Sequence, residues 1–551
     1  MLTRPFFFLL LLLGPLLPSP FGQAAEPPDI VLILADDLGY SDLGCYGGEI
    51  ETPHLDRLAA EGLRFKRFYN AGRCCPTRAS LLTGVYPHQA GIGHMTYDAG
   101  APGYRGDLNA TTATIPEQLK KAGYRTGMFG KWHLTPNTKP GDDKRNWPRQ
   151  RGFDRFYGTL PGYGSLWNPA GLYDDNQAVQ ADAAFFYTDT ITDKAIDFLN
   201  EANDAPTFIY LAFTAPHYPL HARAETIEKY RGVYDKGWDA LRHERVQRLK
   251  QHSLLPAHAK LPPRDEGSIP WAMDTNRKWQ AQRMQTYAAM VDEMDQAIGR
   301  LLAAIDQRGN KQNTLVVFLS DNGASPEGHL NNTIERMEKP WSSSLIPKTT
   351  RGGEPVIAGD IPGVDLGPEN TFGSVGLRWS SLSNTPFRRH KAWMHEGGIC
   401  TPCIVRWPQM VKQGGLTGEA GHIVDLAPTF LNAAGATPME QDVPLQGESL
   451  LEVLRGGTLN REVLAWEHEG NRAIREGRWK LVSEFPGTWR YFYPYEKNGA
   501  WELYDLDADP TELTDLARLK PEKVSALSAR YERWAKNAKV VDWGSLAGKK
   551  E

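Results

Sequence analysis

The chain has 551 residues, 41% of them hydrophobic, a length that points to more than one domain and a composition that fills a large core. Its formal net charge of −4 and its pI near 6.4 leave no basic footprint, which excludes a nucleic-acid binder working through bulk charge.

Residues 1–24 place Arg4 ahead of an apolar run from Phe6 to Leu13, extended through Leu16 and Leu17, with Gly22 and Ala24 as small residues before a cut. This is the pattern of a secretory signal peptide, and it predicts an exported mature chain, periplasmic or secreted, that begins near Ala25. A retained anchor is the alternative, but Gly14, Pro15 and Pro18 interrupt a run that is already short for a bilayer. No cysteine lies near the cut to accept lipid, and no later segment is apolar enough to give a stable membrane span.

Residues 29–35 (DIVLILA) form a short, nearly continuous apolar run, as expected of a strand buried on both faces of a parallel sheet. It ends in Asp36-Asp37. Adjacent carboxylates at a strand end repel one another, so a bound cation or a solvated turn before Gly39 must account for them. Leu55, Leu58, Ala59 and Leu63 then recur at helical spacing, predicting a covering helix over residues 55–65.

Residues 74–84 read CCPTRASLLTG. A helix starting just after Pro76 would aim its free backbone N–H groups and the positive end of its dipole at the side chain of residue 74, with Arg78 one turn in. A further helix, residues 116–122, is opened by Thr114 and Pro116 and closed by Gly123, and the strand after it, 124–129, delivers Lys131 and His133. The same grammar returns twice. A helix around 191–199 precedes a strand at 206–213 that ends in Ala215-Pro216-His217, and an apolar stripe from Met290 to Ile305 precedes a strand at 314–319 that ends in Ser320-Asp321-Asn322-Gly323. Ligands of open α/β sheets bind beyond the carboxyl ends of the strands, so these polar strand ends are expected to converge on one site.

Residues 219–286 and 324–384 read as long insertions over that edge that set substrate choice. A basic run, residues 384–391, includes Lys391 and precedes another apolar strand around Cys403. From about residue 440 the character changes to short alternating runs near 463–467, 473–474, 479–482 and 501–506, then a helix over 521–535, which together suggest a small antiparallel sheet with a packed helix. The predicted division is a signal peptide (1–24), a catalytic α/β domain (25–440) and an α+β subdomain (441–551).

Five cysteines are an odd number for an exported chain. Cys400 and Cys403 allow a short-loop disulfide or two buried thiols. A zinc site is disfavoured because no second such pair exists, and Cys45 with Cys75 is a weaker candidate pair.

Residues 74–84 resemble the signature of the type I sulfatases, C-x-P-[S/T/C/A]-R followed by x-x-x-L-T-G. The other strand-end residues fall in the order in which bacterial, arylsulfatase-like members of that family carry their site residues. The resemblance implies an alkaline-phosphatase-like α/β sandwich with a central mixed, mostly parallel sheet and a small C-terminal α+β subdomain with an antiparallel sheet. It implies that Cys74 is oxidised by a formylglycine-generating or anaerobic maturation enzyme to Cα-formylglycine (3-oxoalanine). Ca²⁺ would then be held by Asp36, Asp37, Asp321 and Asn322 together with residue 74, an oxygen-rich set that suits calcium better than zinc. In the implied reaction the hydrated aldehyde attacks sulfur, Lys131, His217 and Lys391 hold the sulfate oxygens, and His217 protonates the departing alcohol. His133 then draws a proton from the remaining hydroxyl to expel sulfate, while Arg78 steadies the alkoxide. The expected substrate is a sulfated small molecule or saccharide. A phosphonate monoester hydrolase or phosphodiesterase of the same superfamily, and a catalytically silent glycan-binding protein, are the alternatives. His221 and His395 are expected to pack or to line the substrate pocket.

Overall fold

The computed structural model describes residues 26–328, 345–411, 414–486 and 499–547; the signal-peptide pattern lies outside them. The apolar run at the start becomes the central strand, β1 (Asp29–Asp36), buried throughout. Its alternate residues serve two cores: Val31 and Ile33 join the large cluster on one face, Ile30, Leu32 and Leu34 the cluster on the other. A strand covered on both faces has no polar side, which is why its sequence does not alternate.

The chain continues through β2 (Leu63–Tyr69), β3 (Arg125–Lys131), β4 (Arg155–Thr159), β5 (Leu172–Asp174), β6 (Gln177–Ala178), β7 (Thr207–Pro216) and β8 (Thr314–Ser320). β9 (Ile357–Ala358) and β10 (Thr371–Phe372) pair with each other, and β11 (Cys400–Arg406) and β12 (Gly415–His422) complete the main sheet. Its order is β12-β2-β11-β8-β1-β7-β3-β4-β5-β6. The centre is parallel, with β1 against β7 and β8 and β3 against β7 and β4. β11 is antiparallel to both β2 and β8, so the sheet is mixed and mostly parallel. Truncating a core residue of β1 such as Ile33 to Ala would cost about 2–5 kcal/mol.

Helices α1 (Pro53–Glu61), α2 (Cys74–Thr83), α3 (Ile115–Lys121), α4 (Tyr187–Asn200), α5 (Ala224–Lys229), α6 (Gly237–Gln251) and α7 (Arg277–Gln307) cover the sheet and its loops. Two expectations are corrected. The covering helix does not run to residue 65: it stops at Glu61 before Gly62, and Leu63–Tyr69 is a strand, because Leu63 and Phe65 alternate inward against Arg64 and Lys66 between β11 and β12. The first long insertion is also shorter than expected, since α7 already begins at Arg277.

A separate antiparallel sheet holds β13 (Leu464–His468), β14 (Asn471–Glu476), β15 (Trp479–Ser483) and β16 (Glu502–Asp505) in sequence order. One face, with Ala465, Ile474, Leu481 and Leu503, meets Leu527 and Tyr531 of the helix Pro521–Ala538. The other, with Trp466, Ala473, Val482 and Tyr504, joins the core of the main sheet. All five cysteines are buried free thiols. Cys400 and Cys403 belong to opposite faces of the sheet, as do Cys45 and Cys75, so neither candidate pair is bridged.

Candidate active site

The carboxyl ends of the neighbouring strands β8, β1, β7 and β3 deliver Asp321 and Asn322, Asp36 and Asp37, His217, and Lys131 and His133. Asp37 and His133 hold φ at +63° and +55°, a left-handed conformation uncommon outside glycine that turns each side chain sharply at its strand end. Lys391 enters from the loop before β11, and α2 supplies Cys74 and Arg78 from below. Every one of these side chains is buried, Cys74 to 2% exposure and His133 to 8%.

α2 starts three residues earlier than expected, at Cys74 rather than just after Pro76. Cys74 is its first residue and Arg73 its N-cap; Pro76, which has no N–H to lose, is tolerated in the first turn. The Thr77 N–H donates to the Arg73 carbonyl at 2.9 Å. Residue 74 thus lies at the positive helix end.

Arg78 donates from Nη2 and Nε to Asp321 Oδ2, at 2.8 and 3.1 Å, and from Nη1 to the Lys131 carbonyl at 2.9 Å. Its Nη2 is 3.4 Å from Asp36 Oδ2, which also takes a short contact from the Lys131 ammonium. Asp37 Oδ1 accepts from Asn322 Nδ2 at 2.6 Å and lies 2.8 Å from Lys391 Nζ. Asp37 Oδ2 is 3.5 Å from His217 Nε2.

Burial pushes the Asp36 carboxyl up to about 6 against the pull of Lys131 and Arg78. Burial together with the charge of Asp36 pushes Asp321 up to about 8. Two carboxylates that resist ionising side by side call for a strong cation. Asp36 Oδ1 and Asn322 Oδ1 are buried oxygens without a hydrogen-bond partner among the described residues. Three carboxylates and an amide oxygen make a hard donor set, so these residues fit Ca²⁺. Asp36, Asp37 and His217 form one grouping whose ligand atoms lie within 4.8 Å of one another; Asp321 is drawn toward Arg78.

Burial lowers both His133 and His217 to about 4, so both rings are neutral near pH 7. His217 Nδ1 lies 2.6 Å from the Tyr218 carbonyl, which can only accept, so Nδ1 carries the proton and Nε2 faces Asp37 with its lone pair. The hydrogen bond with Cys75 holds the Cys74 thiol well below its ordinary value despite burial, with help from Lys131, His133 and Lys391.

His133 Nε2 stands 3.2 Å from Cys75 Sγ, so Cys75 is packed into the site rather than beside it. Sequence reasoning also missed Glu327 and Arg73. Glu327 accepts from Lys391 at 3.1 Å and lies 3.4 Å from Arg73; burial would raise its carboxyl, but Lys391 and Arg73 hold it down at about 2. Glu327 carries no sequence signal in its Gly- and Ser-rich loop, whereas adjacency to Cys74 could have flagged Arg73. His221 braces backbone, accepting from the Leu166 N–H at 3.1 Å and lying 2.7 Å from the Thr371 carbonyl, and His395 packs against Glu502 at 3.2 Å.

A model described as Sulfatase matches residues 28–436, and one described as the C-terminal part of N-sulphoglucosamine sulphohydrolase matches residues 388–532. A protein of Schizosaccharomyces pombe described as an uncharacterized sulfatase is 35% identical over 549 residues, covering 92% of this chain and 93% of its own length. The arylsulfatase of Klebsiella aerogenes is 33% identical over 432 residues, covering 75% of this chain and 88% of its own. Among solved structures, one in complex with k-i-k-neocarrahexaose superposes with a TM-score of 0.64 at 23% identity, covering 93% of each chain. Another, in complex with its substrate D-glucosamine-2-N,6-O-disulfate, gives 0.58 at 22% identity over 94% of this chain and 99% of its own. At these identities the likeness is one of fold.

Proposed function

This chain belongs to the sulfatase family, and from that premise we propose that it hydrolyses a sulfate monoester, an aryl sulfate or a sulfated carbohydrate, at the site around residue 74. The observation that carries the reading is the convergence of Lys131, Lys391, His133 and His217 with Cys74 at the head of α2, over a hard-oxygen cluster. Oxidised to formylglycine by a maturation enzyme, residue 74 supplies a hydroxyl on its Cβ as the attacking oxygen. Calcium held by Asp36, Asp37, Asp321 and Asn322 supplies Lewis-acid polarisation of the bound oxygens.

The chain's own residues do the rest. Lys131 and Lys391 hold sulfate oxygens with fixed positive charge in a buried site, where such charge acts most strongly. His217 presents Nε2 to the alcohol oxygen; an anionic ester beside it raises its proton affinity and makes it the acid for the leaving group. His133 takes the proton from residue 74 when sulfate departs. Arg78, fixed by two hydrogen bonds to Asp321, orients that carboxylate and adds positive charge under residue 74.

We further propose that residues 25–440 form the catalytic domain and 441–551 a subdomain that completes its rim, and that the chain is exported after cleavage near residue 24. Among the described residues no helix is long and apolar enough to cross a membrane.

The test compares an aryl sulfate with the matched phosphate and a phosphonate monoester, calcium-replete, with formylglycine occupancy fixed by mass spectrometry. A sulfate ester carries one negative charge, whereas a phosphate monoester is largely dianionic near neutral pH, its second pKa being about 6. We expect the higher kcat/KM for the sulfate. A better phosphate or phosphonate substrate overturns the sulfatase chemistry proposed at this site.

A further inference from the structure

Helix α6 buries two arginines three positions apart, in opposite electrostatic settings. Arg245 meets Asp42 at 2.7 Å and Glu49 at 2.6 Å; burial would pull its guanidinium down, but Glu49 and Asp42 hold it above its ordinary value. Arg242, only 5% exposed, donates from Nη2 to the Pro262 carbonyl at 3.1 Å and lies 3.5 Å from the Pro263 carbonyl. Its Nε is buried without a hydrogen-bond partner, and it makes no ion pair among the described residues. The carboxylates whose charge reaches it are engaged elsewhere: Asp239 by Arg264 at 2.9 Å, and Asp265 by Arg389 at 3.1 Å and His390 at 3.6 Å. Burial therefore wins, and the Arg242 guanidinium is pulled down to about 10. A buried charge left without compensation is costly to a fold.

Arg242 lines a cavity of about 460 Å³ between α6, residues 262–266 and the loop before β11. Arg264 and Arg388 line it as well. Arg388 donates to the Tyr504 hydroxyl at 3.1 Å and to the Glu512 carbonyl, both uncharged, and it too makes no ion pair among the described residues. Two carboxylates share the lining, Asp265, already held by Arg389 and His390, and the exposed Glu266. The balance is positive. Guanidiniums that arrive from three separate elements suit a tetrahedral group, whose oxygens point several ways, better than a planar carboxylate, and each can offer two parallel N–H groups to such an ion. None of the residues placed around Cys74 lines this cavity.

The cavity nonetheless touches the reaction centre through the backbone. Arg388, Arg389 and His390 lead directly into Lys391, and Arg389 and Ala392 hold φ at +66° and +77°, a conformation that persists only where the surroundings over-determine it. We infer that the cavity binds a tetrahedral oxyanion, a sulfate or phosphate group, through Arg242, Arg264 and Arg388, and that the bound anion braces the segment that carries Lys391. The inference does not depend on the chemistry proposed at residue 74.

Calorimetry and thermal melts of wild type, Arg242→Gln, Arg388→Gln and Lys391→Ala, in oxyanion-free buffer with stoichiometric calcium, test it with inorganic sulfate, inorganic phosphate and glycerol 3-phosphate. Wild type and Lys391→Ala should share a binding site that Arg242→Gln and Arg388→Gln each weaken by about tenfold or more. Without an oxyanion, Arg242→Gln should melt no lower than wild type, because it removes an uncompensated buried charge; added sulfate should raise the Tm of wild type and of Lys391→Ala and leave Arg242→Gln behind. Hydrogen exchange at residues 388–392 should slow when sulfate is added to Lys391→Ala, and not when it is added to Arg242→Gln. Inorganic ions that bind at least as well as glycerol 3-phosphate identify the ligand as the free ion, and a tighter glycerol 3-phosphate identifies it as a group carried on a small molecule. Binding that vanishes in Lys391→Ala but survives both arginine variants would put the anion at the reaction centre alone and overturn the inference. An Arg242→Gln that melts lower by the same amount with and without sulfate would do so too, by making Arg242 a structural clamp on the Pro262 carbonyl. Unchanged exchange at 388–392, or no binding to any form, would overturn it equally. Should Arg242→Gln give no folded protein, Arg388→Gln, which leaves α6 intact, decides each comparison.

Discussion

Lys391 and Asp37 lie 354 positions apart in the chain, and their charged ends meet at 2.8 Å. The lysine therefore competes for a carboxylate that the proposed calcium site needs. Lys391→Ala should lower kcat/KM on an aryl sulfate by about a hundredfold, the scale of losing one fixed group that stabilises charge in the transition state. It should also tighten calcium binding, because Asp37 loses a rival cation. Steady-state kinetics and calorimetry read the two effects, and an unchanged kcat/KM removes Lys391 from the site.

Calcium removal should abolish turnover and lower Tm. In the metal-free protein, burial lifts Asp36 to about 6, and burial with the neighbouring Asp36 charge lifts Asp321 to about 8, so both gain protons as pH falls through those values. Calcium must displace those protons. Binding should release protons near pH 7, and apparent affinity should rise with pH toward 8 and level off above it. A calcium affinity that is flat between pH 6 and 8 contradicts this ligand set.

Cys74→Ala should eliminate activity, and peptide mass spectrometry should find the oxidation at residue 74 alone. Cys75→Ala should still be oxidised at residue 74 but lose part of its rate, since Cys75 Sγ packs against His133 Nε2 at 3.2 Å. Aldehyde chemistry at residue 75 would falsify the assignment.

A seam of buried charge joins the loop before β11 to the small sheet, and its acid sensitivity can be measured. Burial alone would raise the Glu502 carboxyl, but the hydrogen bond and charge of His395, with Tyr504 and Arg388, hold it well below the usual carboxylate range. A depressed carboxyl stabilises the fold above its unfolded value, about 4.3, and loses that contribution as pH falls below it. Glu502→Gln should cost about 1.5–3 kcal/mol at pH 7 and progressively less as pH falls below about 4 toward the depressed folded value, read as the difference in Tm between variant and wild type. A penalty that does not change with pH would show that the contact does not titrate.

The parts of the fold that repeat were legible in the sequence. An apolar run on β1, β7 or β8 can only be a covered strand, and each ends in residues that make no sense in a core. β2 was hidden because Arg64, Lys66 and Arg67 break its apolar run, and the helix before it lends it a helical spacing. Asp36, Asp37, Asp321, Asn322, Lys131, His217 and Lys391 were each visible at an element's end, and the structure brings them together. Glu327 was not: a single acidic residue in a loop gains meaning only from the lysine and arginine it meets in space. His133 was expected against residue 74, and its contact with Cys75 follows from a left-handed backbone that no local pattern announces.

Burial of Cys74 also sets an order of events in time. The residues around it come from the end of β3, from β8 and from the loop before β11, all later in the chain than α2 and the last two far later, so residue 74 leaves the ribosome well before all its walls exist. Contacts of such long sequence separation form slowly. The maturation enzyme proposed above would have that interval to work in, and once the last walls close, with 2% of the residue still exposed, the Cβ of residue 74 would be out of its reach. Chains that fold faster than they are modified should accumulate as a well-folded, inert thiol form, and slowing the folding should raise the active fraction without changing the activity of each matured molecule.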